Sequence, residues 1–294
     1  MTTSVNIPNL GASAEAIQHH YDVSNEFFSL WLDPSLTYSC AIWEEGETIE
    51  DFEKAQMRKL DYHIDQAKVK GAKRVLDIGC GWGSFLKRLV DIHDVKKVVG
   101  LSISQAQVDF ISAWKYPNIE VRLEKWTEHS PEELYDGIIS LEAFEHFARL
   151  ELSPEEKLDS YRRFFSRCHA WLKPGGMISI QTSVYDNSIK EDFSEFITEQ
   201  IFPESDLPRQ SEIFQATDRL FEIFSFRNYR RDYIRTLKAW LKNLKASREQ
   251  VVNLVGEEVF ARYEKYLSMF IIAFHTGKMN VSCISMQRID HPRK

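Results

Sequence analysis

Cysteine is scarce in this 294-residue sequence: Cys40, Cys80, Cys168 and Cys283 are its four, with no C-x-x-C pair and no Cys/His cluster at metal-ligand spacing. That pattern excludes a disulfide framework and a zinc site, and it predicts a reducing, cytoplasmic setting. Long apolar runs are also missing. The longest late stretch, 270–274, is a core segment by length, because a membrane span needs about eighteen residues. The first residues are polar and lack the charged and then apolar region of a secretion signal. Positive charge is outnumbered, with 37 Lys and Arg against 44 Asp and Glu and a formal net charge of -7. Non-specific grip on nucleic acid needs a basic surface, so this balance argues against it while leaving room for a local basic patch, and the chain is expected to have no nucleic-acid partner. What remains is ordinary globular composition, 43% hydrophobic and 28% charged, in a chain long enough for one large domain or a domain with a cap.

The most informative stretch is Arg74-Val75-Leu76-Asp77-Ile78-Gly79-Cys80-Gly81-Trp82-Gly83. An apolar run stops at three alternating glycines, and Phe85, Leu86, Leu89 and Val90 then mark one side of an amphipathic segment. The pattern reads as strand, tight turn, helix, in which glycines let the backbone approach a ligand across the strand end. The spacing is G-x-G-x-G with Asp77 two residues ahead, which departs from the dinucleotide pattern G-x-G-x-x-G. Asp77 is expected to support the turn. The form resembles motif I of the class I S-adenosylmethionine (SAM) methyltransferases, with a nicotinamide or flavin site and a purely structural turn as the alternatives.

Around this turn, strands are predicted over 97–101, 119–123, 135–141, 177–184, 222–229 and 279–288, and helices over 104–114 and from Ser153 to Leu172. Ser153-Pro154-Glu155-Glu156 has the form of a capping box, and Ser130-Pro131-Glu132-Glu133 repeats it. Pro174-Gly175-Gly176 is expected to end the long helix. Helical spacing over 48–68 and an aromatic-rich stretch over 14–32, with His19, His20 and Tyr21, predict an N-terminal helical lead, here bounded as residues 1–70 before a core of 71–294. Alternating strands and helices make an α/β fold with a mostly parallel seven-stranded sheet, whose ligand lies outside the carboxyl ends of the strands. Residues 186–222 break the alternation and are expected to form a helical lid, and 233–273 two or more helices.

Tyr21 to Phe28, Leu36 to Ala41, the glycine turn and Phe144-Glu145-His146-Phe147 stand in an order that resembles the cyclopropane-fatty-acid synthase family, which includes the mycolic acid cyclopropane synthases and, more distantly, the coclaurine-type N-methyltransferases. The resemblance implies a Rossmann-like class I SAM methyltransferase with N-terminal helices and a lid, releasing S-adenosylhomocysteine (SAH). It implies that Tyr38 and Ser39 touch SAM, that Gly79 and Gly81 lie under it, that Ser102 and Gln107 meet ribose and adenine, and that Trp126 lies beside adenine. Where cyclopropane synthases have an acidic residue after that tryptophan, this chain has Thr127. In those enzymes a bicarbonate acts as base, and its ligands correspond to the Cys40 backbone, Glu145, a strand-five position that is Gln181 here in place of histidine, and Tyr233.

A second departure is Glu142, where cyclopropane synthases have glycine and the N-methyltransferases have the E-x-F-E-H seen here. Glu142 and Glu145 beside His146 suit an amine, since they can orient it, take its proton and stabilise positive charge. The acceptor is therefore expected to be a small molecule, an amine or electron-rich carbon. The alternative is methylene addition to an unsaturated acyl chain with bicarbonate as base, and a third reading is a SAM-binding module without catalysis. His146 is either catalytic or a helix-start residue, Gln181 and Tyr233 are either site or packing residues, and Cys40 acts through its backbone rather than as a nucleophile. Arg230, Arg231, Arg235, Lys238, Lys242 and Lys245 flank an apolar face of Ile234, Leu237, Trp240, Leu241 and Leu244. That helix is either a solvated face on a core helix or a contact for an anionic membrane or carrier protein.

Overall fold

The structure, a computed structural model, describes residues 10–13 and 24–291, so the expected helices over 14–23 and the residues His19, His20 and Tyr21 lie outside it. Seven strands form one sheet: β1 (Arg74–Ile78), β2 (Lys97–Ser102), β3 (Ile119–Leu123), β4 (Tyr135–Leu141), β5 (Leu172–Tyr185), β6 (Phe221–Asn228) and β7 (Met279–Arg288). Their order is β3-β2-β1-β4-β5-β7-β6, with β1 to β5 parallel and β7 antiparallel to both β5 and β6. Val75, Leu76, Val98, Val99, Ile138 and Ile139 are fully buried, as strands covered on both faces require.

The helices are α1 (Asn25–Ser29), α2 (Phe52–Gln66), α3 (Ser84–Asp91), α4 (Gln105–Ser112), α5 (Pro154–Trp171), α6 (Gln210–Thr217), α7 (Arg230–Ala246), α8 (Arg248–Val255) and α9 (Glu257–His275). The capping box at Ser153 opens α5, where Ser153 Oγ accepts from the Glu156 N–H and the Glu156 carboxylate accepts from the Ser153 N–H. Tyr161, Phe164, Phe165, Cys168 and Trp171 bury its apolar face against one side of the sheet. Leu60 and Ile64 of α2 pack with Phe85, Leu86 and Leu89 of α3 on the other. A third cluster joins Phe27, Phe28 and Trp31 to Trp240 of α7 and to Tyr263 and Tyr266 of α9.

Two local expectations are corrected. Ser130-Pro131-Glu132-Glu133 opens no helix, because Tyr135 already belongs to β4 and the intervening residues are too few to nucleate a helical turn. Pro174-Gly175-Gly176 does not end α5, which stops at Trp171; β5 starts at Leu172 and runs through all three, with Gly175 at φ +72 and a register shift opposite Tyr135 and Gly137. The segment between β5 and β6 contains a 3-10 turn (Lys190–Asp192), a π turn (Phe196–Ile201) and α6, which packs on α5. Asp206 ties it down: it is 4% exposed, accepts from Lys157 Nζ at 2.7 Å and Tyr185 OH at 2.8 Å, and donates its N–H to the Ala148 carbonyl.

The basic face of α7 is largely consumed inside the molecule. Arg235 donates to the Glu44 and Glu47 carbonyls and lies over the Trp43 ring, Arg230 donates to the Phe274 and His275 carbonyls, and Lys242 and Lys245 pair with Glu50 and Glu264. No helix among the described residues is long and apolar enough to cross a membrane.

Candidate functional site

Two cavities meet outside the carboxyl ends of β1, β2, β4 and β5. The first encloses about 1160 Å³, counting its open mouth. The turn after β1 supplies Gly79 and Gly81, and β2 and the start of α4 supply Ser102 and Gln107, with Ser102 Oγ donating to Gln107 Oε1 at 2.8 Å. Trp126 and Thr127 close one end, and Tyr38 and Ser39 line another wall. All eight residues expected to hold SAM therefore face one space. Glycine is needed at three points of the turn, including Gly83, at φ +81 with Trp114 2.8 Å from where a Cβ would be. Gly79, at φ +81, has Ala143 Cβ only 2.4 Å from where its own Cβ would be, and Gly81, at φ +53, opens onto free space.

Asp77, expected to serve the turn, also lines this cavity, and its buried Oδ1 has no hydrogen-bond partner. Burial pushes its carboxyl up to about 7, with Lys59 acting in the opposite direction. Gly11 and Ala12 complete the wall, where the Ala12 N–H donates to the His146 carbonyl at 2.9 Å. Flat apolar surfaces at Trp126, Ile103 and Phe147, hydroxyl and amide groups at Ser102 and Gln107, and an unsatisfied carboxylate at Asp77 fit a ligand that combines a purine, a ribose and a charged amino acid.

The second cavity, of about 750 Å³, shares Tyr38, Glu142 and His146 with the first. Its walls are mostly apolar, from Phe193, Ile197, Phe202, Leu207, Phe270 and Met279, with Glu145, Tyr233 and Tyr266 among them. Glu142 follows β4 at φ +51, a left-handed conformation that glycine adopts without cost. Its Oε1 accepts from the Cys40 N–H at 2.8 Å and from Gln181 Nε2 at 3.1 Å, and its Oε2 accepts from Tyr233 OH at 2.5 Å. Gln181 Nε2 also donates to the Cys40 carbonyl at 3.0 Å. The Cys40 N–H, Gln181 Nε2 and Tyr233 OH thus converge on the Glu142 carboxyl group.

Glu145 is 8% exposed; its Oε1 accepts from the Ser183 N–H at 2.5 Å, and its Oε2 has no partner. Burial first, and then the neighbouring Glu142 charge, push its carboxyl up to about 8. Burial also raises Glu142, but Tyr233, the Cys40 N–H and Lys59 oppose it. Both carboxyl groups are thus raised, Glu145 to about 8 and Glu142 against the opposing pull of its hydrogen-bond donors and Lys59. His146 Nδ1 lies 2.6 Å from Ser205 Oγ, and burial pushes its imidazole down to about 4, so it is neutral. Burial and Glu142 push the Tyr233 phenol up, which keeps it a donor, and burial does the same to the Cys40 thiol, which makes it a poor nucleophile.

The sequence profile of the mycolic acid cyclopropane synthetase family matches residues 9–284. The chain is a member of that family. It is 34% identical over 295 residues to the S-adenosylmethionine-dependent methyltransferase UmaA of Mycobacterium tuberculosis, covering 93% of this chain and 97% of the relative. The solved structure of mycolic acid cyclopropane synthase CmaA1 complexed with SAH and CTAB superimposes with a TM-score of 0.84 at 30% identity, over 96% of this chain and 100% of that one. Coclaurine N-methyltransferase shares the fold, with a TM-score of 0.80 at 21% identity over 97% of this chain and 85% of that one. This member of the family is a SAM-dependent methyltransferase with the Rossmann-like class I fold, and the first cavity fits its cofactor.

Lys59 and His63 of α2 carry no signature in the sequence, yet both are fully buried near the site. Their spacing with Gln56 reads as the polar side of an amphipathic helix, and nothing in the sequence says that this side faces inward.

Proposed function

We propose that this family member transfers the SAM methyl group to a nucleophilic nitrogen or carbon on an apolar small molecule, with Glu142 as a resident base. The observation that carries this reading is the Glu142 carboxylate held by the Cys40 N–H, Gln181 Nε2 and Tyr233 OH. Those groups correspond to ligands that the family resemblance gives to a diffusible bicarbonate, and here a side chain takes its place. SAM, when bound, supplies an electrophilic methyl group. Tyr38, Ser39, Gly79, Gly81, Ser102, Gln107, Trp126 and Thr127 hold it in the first cavity, and the acceptor occupies the second, with its reacting atom at the junction formed by Tyr38, Glu142 and His146.

Ionised Glu142 stabilises the positive charge that develops on the acceptor and takes the proton it sheds. Protonated Glu145 offers a hydrogen bond to a polar group beside the reacting atom, and neutral His146 orients it. Residues 186–207 act as a lid, since Phe193, Ile197, Phe202 and Leu207 wall the acceptor cavity and exclude water. The N-terminal lead closes the other side through Gly11, Ala12 and the loop 36–39. A second reading, an unsaturated acyl chain as acceptor, is favoured by the apolar wall of the second cavity and by the names of relatives such as cyclopropane mycolic acid synthase 2 of Mycobacterium leprae, 33% identical.

Incubation of the protein and methyl-labelled SAM with lipid and polar extracts, followed by mass spectrometry, separates the two. Label in a small molecule supports the first reading, and label in an acyl chain with its double bond lost supports the second. Glu142→Gln is expected to lower turnover by at least a hundredfold with little change in SAH affinity; full activity in that variant removes Glu142 as base.

A further inference from the structure

The core-facing side of α2 carries Gln56, Lys59 and His63, all fully buried, at positions where a helix on a sheet ordinarily presents apolar residues. Gln56 Nε2 donates to the Thr37 carbonyl at 3.2 Å and the Ser39 carbonyl at 2.9 Å, and Lys59 Nζ donates to Ser39 Oγ at 2.6 Å. Thr37 and Ser39 both line the cofactor cavity, and the next residue gives its N–H to Glu142. His63 faces Ser179 Oγ at 2.8 Å and Cys283 Sγ at 3.6 Å, and burial keeps it neutral, with its imidazole pushed down to about 3. Lys59 is thus the member of this stripe that carries charge.

We propose that Lys59 is a positioning residue of the methyl-transfer site, whose buried ammonium fixes Ser39 in the cofactor wall and so holds the adjoining Cys40 N–H on the Glu142 carboxyl group. Its effect on turnover rests on Glu142 being the base. The titratable groups around Lys59 come from every element packed on it: the carboxyl groups of Glu142 after β4 and Asp33 from the loop ahead of α2, and the buried, uncharged thiols of Cys40 and Cys283. Asp77 at the end of β1 and His63 on α2 itself feel its charge in turn. A buried ammonium is costly without partners, and Ser39 Oγ is the acceptor that Lys59 Nζ has at 2.6 Å, so the loop carrying Ser39 and Cys40 is held against α2 by that bond. Burial pushes Lys59 down to about 8, and the carboxylates hold it up, so it remains charged at neutral pH.

The test is Lys59→Met, with turnover measured from pH 6 to pH 9 and SAH affinity by calorimetry. Without the bond to Ser39 the Cys40 N–H slackens on Glu142, which then binds its proton more tightly, so the acid limb of the kcat profile should move up by about one pH unit or more. Turnover should then fall about tenfold or more at pH 7 and recover toward pH 9, while SAH binding weakens about threefold to tenfold through Ser39. A uniform loss at every pH, or an unmoved acid limb, overturns the proposal, because a merely structural lysine would leave the shape of the profile alone. Should Lys59→Met fail to fold, Ser39→Ala, which removes the acceptor and keeps the lysine, should move the acid limb the same way, and an unmoved limb in that variant also overturns it. The two readings fail separately: a fully active Glu142→Gln removes the base, whereas an inactive Glu142→Gln beside an unshifted Lys59→Met removes only the role of Lys59.

Discussion

At the scale of single residues, the proposed chemistry turns on two buried carboxyl groups whose surroundings differ. Glu142 holds three donors, whereas Glu145 leaves Oε2 unpartnered beside the second cavity. Glu142→Gly would empty the cradle, and its turnover is expected to depend on added bicarbonate, whereas the parent enzyme should keep full turnover in carbonate-free buffer; a parent that stalls there contradicts the resident base. Glu145 has the opposite signature. Its folded pKa, about 8, lies above its unfolded value, so the stability it contributes is fully present below about pH 4.5 and is lost as pH rises through 8. Glu145→Gln removes that dependence. Thermal melts should show the variant stabilised relative to the parent by a few kcal/mol at pH 9, with the gain fading toward pH 5. Glu142 and Glu145, just past the end of β4, and Gln181, inside β5 opposite Leu141, could be singled out in the sequence because an α/β sheet binds its ligand where such strands end. Lys59 could not, because a polar residue every three or four positions on a helix reads as a solvent face until something is seen packed over it.

At the scale of elements, the strands were the most legible parts. The strand predicted over 279–288 matches β7, in which Met279, Val281, Cys283, Ile284 and Met286, all fully buried, are interleaved with small polar residues and no charge precedes Arg288. The π turn at Phe196–Ile201 and the division of residues 230–275 into three helices were not legible in detail. A π turn has no distinct side-chain period, and the break at Ser247 carries neither glycine nor proline. The proposed lid depends on the buried Lys157–Asp206 pair for its attachment. Asp206→Ala leaves Lys157 with only Glu212 at 3.5 Å and the Leu207 carbonyl, and Tyr185 OH without its acceptor, so it should cost about 1–3 kcal/mol in denaturant unfolding. The same variant should make residues 186–207 more susceptible to limited proteolysis while SAH still binds.

At the scale of the whole molecule, the cofactor cavity draws its wall from distant parts of the chain: Gly11 and Ala12, the loop 36–39, the turn 79–82, the start of α4, residues 124–127 and residues 141–147. Occupancy of that cavity therefore ties these segments together. SAH at a hundredfold excess over its Kd should stabilise the fold by about 2.7 kcal/mol, which for a chain of this size raises the Tm by about 5 °C or more in a thermal melt. A shift confined to a minor unfolding step would show that the N-terminal segment and the sheet melt separately.

The left-handed backbone at Glu142 has a consequence for how this active site changes over generations. Glutamate and glycine codons differ by one base, and the backbone at this position suits glycine better than any side chain. Reversion to glycine is thus the nearest step for mutation and one that the local conformation would welcome. In any lineage, the persistence of glutamate at position 142 measures selection on its charge rather than on the fold.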